Sequence, residues 1–239
     1  MNRTKSKFTG CVLGLGLLLT AAGSAHATTA VWDSTFTPSG WTRGATPGSL
    51  YAEWNVFGPA TPAPLPPLTT PDVANFGGGA YSLLETTGAG SIFSSGNISR
   101  SGASGPGTAF ALTVGNVSSG PSDIYLRIGS LGAFDTTLNQ SFTNFQLNGI
   151  NGTYQELFNV GAGGGPGSRE VEALVSFLGV PGASSFLLTW NAIGVNASLD
   201  QLSLDVGSVA PVPLPAAAYL MASGLAGIVA LARRRRRAS

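Results

Sequence analysis

The seven residues Asp123-Ile124-Tyr125-Leu126-Arg127-Ile128-Gly129, read as DIYLRIG, alternate polar and apolar side chains without a break. A period of two puts Ile124, Leu126 and Ile128 on one face of an extended chain and Asp123, Tyr125 and Arg127 on the other. This predicts a half-buried β-strand, its isoleucine face toward a core and its arginine face outward. The pattern recurs on both sides. TAFALTV (108–114) aligns Phe110, Leu112 and Val114, and SFLLTWN (185–191) aligns Phe186, Leu188 and Trp190. Further candidate strands begin at Leu50 (LYAEWNVF), Ala80 (AYSLLE), Ser91 (SIFSS), Phe142 (FTNFQL), Thr153 (TYQELFNV) and Leu199 (LDQLSLDV). Clusters of Gly, Pro, Asn and Ser separate them at strand-plus-turn spacing. The expected fold is therefore all-β: one antiparallel, jelly-roll-like β-sandwich over residues 28–210, long enough for a full core.

One segment has two readings. In SREVEALVSFLGVP (168–181), Ser168 caps a helix whose stripe is Val171, Leu174, Val175 and Leu178, with Gly179 and Pro181 ending it. As a strand, it places Val171, Ala173, Val175 and Phe177 on one face and Glu170, Glu172 and Ser176 on the other. The strands on either side and the short gap to the next favour the strand. PATPAPLPPLTTP (59–71) is too rich in proline for a central strand and reads as an extended crossing over the surface. SSGNISRSGASGPG (94–107) reads as a flexible loop, and so does GAGGGPG (161–167), where Pro166 takes the third glycine position of a G-x-G-x-x-G motif.

The whole chain carries a formal charge of +1, but its parts differ. All 11 carboxylates lie between Asp33 and Asp205, where only Arg43, Arg100, Arg127 and Arg169 oppose them, leaving −7. No lysine follows Lys7. Such a domain offers no basic patch for a phosphate backbone, so no nucleic-acid partner is expected. The single cysteine, Cys11, and the single histidine, His26, both lie ahead of residue 28. Residues 28–210 thus lack a thiol nucleophile, a disulfide, a Cys/His metal site and a Ser-His-Asp relay. The expectation is a non-enzymatic domain with no cofactor, no metal and no catalytic residue.

Three sets of residues invite a site nonetheless. Glu170 and Glu172 on one strand face would stand about 6–7 Å apart, near the carboxylate separation of inverting glycosidases. Catalytic pairs of that kind flank a substrate from different elements, and i, i+2 acids on an exposed face are ordinary solvation. Asp200 and Asp205 could join loop carbonyls around calcium, without the spacing of an EF-hand. Trp32 and Trp41, set in Gly/Ser/Thr-rich sequence, are candidates for an exposed platform that stacks on a sugar, whereas Trp190 is expected in the core. A carbohydrate-binding module for exopolysaccharide is accordingly an alternative to a structural role, with a carboxylate-based glycan hydrolase a third reading.

The termini carry the addressing information. Arg3, Lys5 and Lys7, the apolar run from Phe8 to Ala22 and the small-residue site Ala25-His26-Ala27 predict a secretory signal peptide over 1–27, cleaved after Ala27. At the other end Pro211, Pro213 and Pro215 alternate with Val212 and Leu214 over 211–215, a stiff extended stretch. Residues 216–232 are uncharged and alanine-rich, at the lower limit of a membrane-crossing helix and favourable to insert by only about 2–3 kcal/mol. Arg233, Arg234, Arg235, Arg236 and Arg237, within the tail 233–239, supply the stop-transfer signal. Moving each outward against an inside-negative potential costs about 2.3 kcal/mol per 100 mV.

Proline motif, weak helix and arginine cluster, in that order, resemble a PEP-CTERM sorting signal in its VPLPA variant, here Val212-Pro213-Leu214-Pro215-Ala216, with Leu214 where the founding motif has Glu. The resemblance covers about the last thirty residues. It implies Sec export, a transient inner-membrane intermediate, and processing by signal peptidase and a membrane-embedded exosortase. It further implies delivery to the cell surface, outer envelope or medium of a bacterium that makes extracellular polysaccharide. A plain single-pass anchor shares the stop-transfer features; the mass of the mature protein separates the two.

Overall fold

DIYLRIG lies within β6 (Ser122–Gly132), which pairs along its length with β12 (Ala197–Ser208) on one side and β10 (Arg169–Val180) on the other. Ile124, Leu126 and Ile128 are buried in the core, as their alternation requires. In this computed structural model the described residues are 42–208, except 44, 73–75, 101–105, 139 and 163–167. The predicted signal peptide, Trp32, Trp41, the proline motif, segment 216–232 and the terminal arginines lie outside them.

The remaining strands are β1 (Leu50–Trp54), β2 (Ala80–Glu85), β3 (Ser91–Ile92), β4 (Ile98–Ser99), β5 (Ala109–Gly115), β7 (Phe142–Leu147), β8 (Ile150–Asn151), β9 (Thr153–Gly161) and β11 (Ser185–Ala192). They form two antiparallel sheets. The larger runs β3-β4-β12-β6-β10-β9, with β1 also paired to β12; the smaller runs β2-β5-β11-β7-β8. The inward faces of both sheets share one core. Phe110 stacks on Trp190 at 5.3 Å and meets Phe142 edge-on at 6.0 Å. Trp54 of the larger sheet meets Tyr81 of the smaller edge-on at 5.9 Å, and Phe145 stacks on Tyr154 across the sheets at 6.0 Å. Apolar burial of this kind, about 1.5–3 kcal/mol for each large side chain, holds two sheets face to face.

Segment 168–181 is a strand. Its backbone pairs with β6 on one edge and β9 on the other, and a helix there would leave both ladders short of partners. Val171, Ala173, Val175 and Phe177 form its buried face.

The proline-rich stretch 59–71 runs over the surface without a strand of its own, as expected, and is tied to the sheets by two bridges: Thr61 exchanges both backbone hydrogen bonds with Ile92, and Leu68 does so with Leu83. Residues with an N–H make the bridges, while the prolines between them stop the pairing from spreading, so the segment covers an edge of each sheet. The structure departs from expectation at three other places. The stretch 94–107, expected to be loop, contains β4, which pairs with β3 and buries Ile98. Strand β8 was not foreseen; it follows Asn148 (φ 48°) and Gly149 (φ 82°), a two-residue turn whose left-handed backbone suits Asn-Gly. Strand β1 stops at Trp54 because the next two amides, Asn55 and Val56, each donate to the Asp72 carboxylate at 2.8 Å. No helix long and apolar enough to cross a membrane occurs among the described residues.

Candidate functional site

Alternate residues of β1, β12, β6 and β10 point away from the core and form the outer face of the larger sheet. The register sets Glu53 beside Ser203, Arg127 and Leu174 in one row, and Tyr51 beside Asp205, Tyr125 and Ser176 in the next. A third row holds Gln201, Gly129 and Glu172. Period-two logic assigns such a face to solvent, yet Glu53, Arg127, Glu172, Asp200 and Asp205 are each no more than 3% exposed. This corrects three expectations. Arg127 is on the outward face but buried. Glu170 and Glu172 are not a solvated pair, since Glu172 is fully enclosed and Glu170 only half-buried. Asp200 and Asp205 stand on a strand, and among the described residues no group of three His, Cys, Asp or Glu side chains could hold a metal ion.

The charges on this face are arranged in couples. Arg43 donates from Nε to Asp205 Oδ1 at 2.6 Å and from Nη2 to Oδ2 at 2.5 Å, with its guanidinium 3.9 Å above the Tyr51 ring. The Tyr51 hydroxyl donates to the Glu53 carboxylate, and burial together with that bond raises the Tyr51 pKa. Burial raises the Asp205 pKa despite the arginine, whereas Arg43, which burial pulls down, is raised on balance by Asp205. The difference follows from exposure: desolvation falls mainly on the aspartate, at 1%, and less on the arginine side chain, at 24%. Glu172 is less well served. Neither carboxylate oxygen has a hydrogen-bond partner, and burial pushes its pKa up to about 7, with Glu170 and Asp200 adding to the rise and the Arg127 charge opposing it. Burial in turn lowers Arg127. Glu53, Arg127, Glu172 and Asp205 are thus shielded from solvent on this face.

A cleft opens elsewhere, at one end of the smaller sheet where Ala109, Asn191 and Thr143 lie side by side on β5, β11 and β7. Its volume is about 480 Å³, and its polar lining is Thr87, Thr108, Asp135, Thr143, Asn144 and Asn191. Each is positioned by local structure. Glu85 accepts from the Thr87 amide and hydroxyl and from the amides of Gly90 and Ala109, holding the turn that carries Thr87. Burial works to raise the Glu85 pKa, but those four hydrogen bonds outweigh it and hold the carboxyl below its ordinary range. Asp135 Oδ1 accepts from the amides of Thr137 and Leu138 at 2.7 and 3.1 Å, and its backbone pairs with Gln140. On β7, Asn144 and Phe145 together oppose the single residue Trp190, a bulge that turns Asn144 to φ 57° at the cleft while Phe145 enters the core. Thr108 Oγ1 is buried with no hydrogen-bond partner.

Sequence reasoning missed this cleft because its lining comes from separate segments. The one local cue was Asp135 two residues ahead of Thr137, the spacing of an aspartate that caps its own turn. Of the tryptophans, Trp54 and Trp190 are core residues, each 1% exposed, and the two proposed for stacking lie outside the described residues. No family model, no curated protein and no solved structure matches the chain.

Proposed function

We propose that this chain is an exported protein with a jelly-roll-like sandwich domain, held briefly at the inner membrane by its C-terminal segment. It is then cut near Val212–Pro215 and passed to the cell surface or polysaccharide matrix, where it has a structural or interaction role without catalysis. The observation that carries the reading is the ordered tail of proline motif, weak apolar span and five arginines, behind a leader of signal-peptide type. The sandwich supports it: β12, an interior strand of the larger sheet, is the last strand among the described residues and ends at Ser208, shortly ahead of Pro211 in the sequence. The acidic, lysine-free composition of residues 28–210 suits a soluble exported domain.

The test is the intact mass of the protein recovered from envelope and medium of an exosortase-bearing host. The expected species begins after Ala27 and ends near the proline motif. Replacing Arg233, Arg234, Arg235, Arg236 and Arg237 by serine should abolish the shortened form. Recovery of the exported chain only with Ser239 still at its end refutes processing and leaves a plain anchor.

A further inference from the structure

We infer that the cleft at the end of the smaller sheet is a binding site for a neutral saccharide. The inference concerns the folded domain alone and stands or falls independently of how the tail is processed. The lining of hydroxyls, carboxamides and one carboxylate matches a polyol, whose hydroxyls each donate and accept. Leu138 and Ile193 supply apolar surface for the C–H face of a sugar ring. At about 480 Å³ the space is within the range of small-molecule sites, roughly 300–1,000 Å³. Asp135 is the one charged side chain among the described lining residues and favours neutral over anionic sugars, against the Arg100 guanidinium that donates to the carbonyl of the lining residue Pro106 at 2.7 Å.

One feature marks a built site. The bulge at Asn144 turns a carboxamide to the cleft at the expense of a left-handed non-glycine residue. With no aromatic platform in the described lining, binding is weak, with a Kd on the order of 1 mM.

The experiment is an amide chemical-shift titration of the isotopically labelled full chain in phosphocholine micelles. The probes are maltotetraose, laminaritetraose and mannotetraose, with tetragalacturonate as the anionic arm. At least one neutral tetrasaccharide should shift the amides of Thr108, Asp135 and Asn191 saturably, while tetragalacturonate should not. Asn191→Ala, an exposed position, should weaken binding at least tenfold without moving the unfolding midpoint. Asp135→Asn keeps an acceptor for the Thr137 and Leu138 amides but removes the charge, and should admit tetragalacturonate. The inference is overturned if no neutral probe shifts these amides up to about 20 mM. It is equally overturned if binding is unchanged in Asn191→Ala, or if tetragalacturonate binds the unmodified chain as well as the neutral probes do.

Discussion

Replacing Glu172 with Gln should make the protein more stable, and only above a particular pH. The carboxyl is fully enclosed, neither oxygen has a hydrogen-bond partner, and its pKa rises from 4.5 to about 7. A raised carboxyl pKa means that the folded state resists ionisation. Below about pH 4.5 the group is protonated in both states and makes no difference. Between that value and about 7 the unfolded chain gives up its proton first, and stability falls until the folded group also ionises. At about 1.4 kcal/mol per pH unit, the interval amounts to about 3 kcal/mol. Glutamine mimics the protonated acid in shape and never ionises. The variant should therefore match the parent at pH 4.5 and exceed it by about 3 kcal/mol at pH 8. Urea denaturation followed by tryptophan fluorescence reads this directly, because Trp54 and Trp190 are core residues. The neighbouring charges Arg127, Glu170 and Asp200 are common to both proteins, so the difference between the two pH profiles isolates Glu172. Parallel profiles between pH 4.5 and 8 would refute the reasoning, since they would mean that the carboxyl ionises as easily inside as outside.

Arg43→Ala leaves Asp205 buried without its partner and should destabilise by about 3 kcal/mol at pH 8 and less at pH 5, with Asp205→Asn in the same chain recovering most of the loss; urea midpoints of the two variants at both pH values decide it. Trp190→Ala empties the site stacked on Phe110 and should cost about 3–5 kcal/mol, against much less for Trp190→Phe, by the same denaturation assay. Gly182→Ala drives a methyl into the backbone carbonyl of Ser119 and should cost about 1–3 kcal/mol. Gly161→Ala, where the added carbon meets nothing within 4 Å, should stay within about 0.5 kcal/mol, and the pair of thermal midpoints checks the contrast.

The strands were largely legible, and so was the inward face of most of them. For β2 and β7 the sequence-predicted bounds match the observed ones; in β2 buried and exposed residues alternate one by one, and in β7 the alternation is interrupted only at the Asn144 bulge. Segment 168–181 is the instructive exception. Both faces of β10 are largely buried, so apolar Leu174 on its outer face broke the alternation and produced a helical stripe. Its pairing with β6 and β9 resolved what periodicity could not. The hairpin at Asn148-Gly149 is readable from its dipeptide, and β3 begins at Ser91 where SIFSS placed a strand, whereas β4, two residues long, is too short to show any period.

Alternation of polarity along the chain was enough to establish an all-β domain, and the ordering of prolines, apolar residues and arginines is itself the chemistry on which the sorting proposal rests. Neither needs a distant neighbour to be understood. The enclosed carboxyl of Glu172, the buried guanidinium of Arg127 and the cleft among Thr108, Asp135 and Asn191 belong to the tertiary structure alone. A strand's sequence records that its two sides differ, but not what lies over either side or which strands stand next to it. Desolvation and cavities arise from that non-local arrangement, so they appear only when the sheets are assembled.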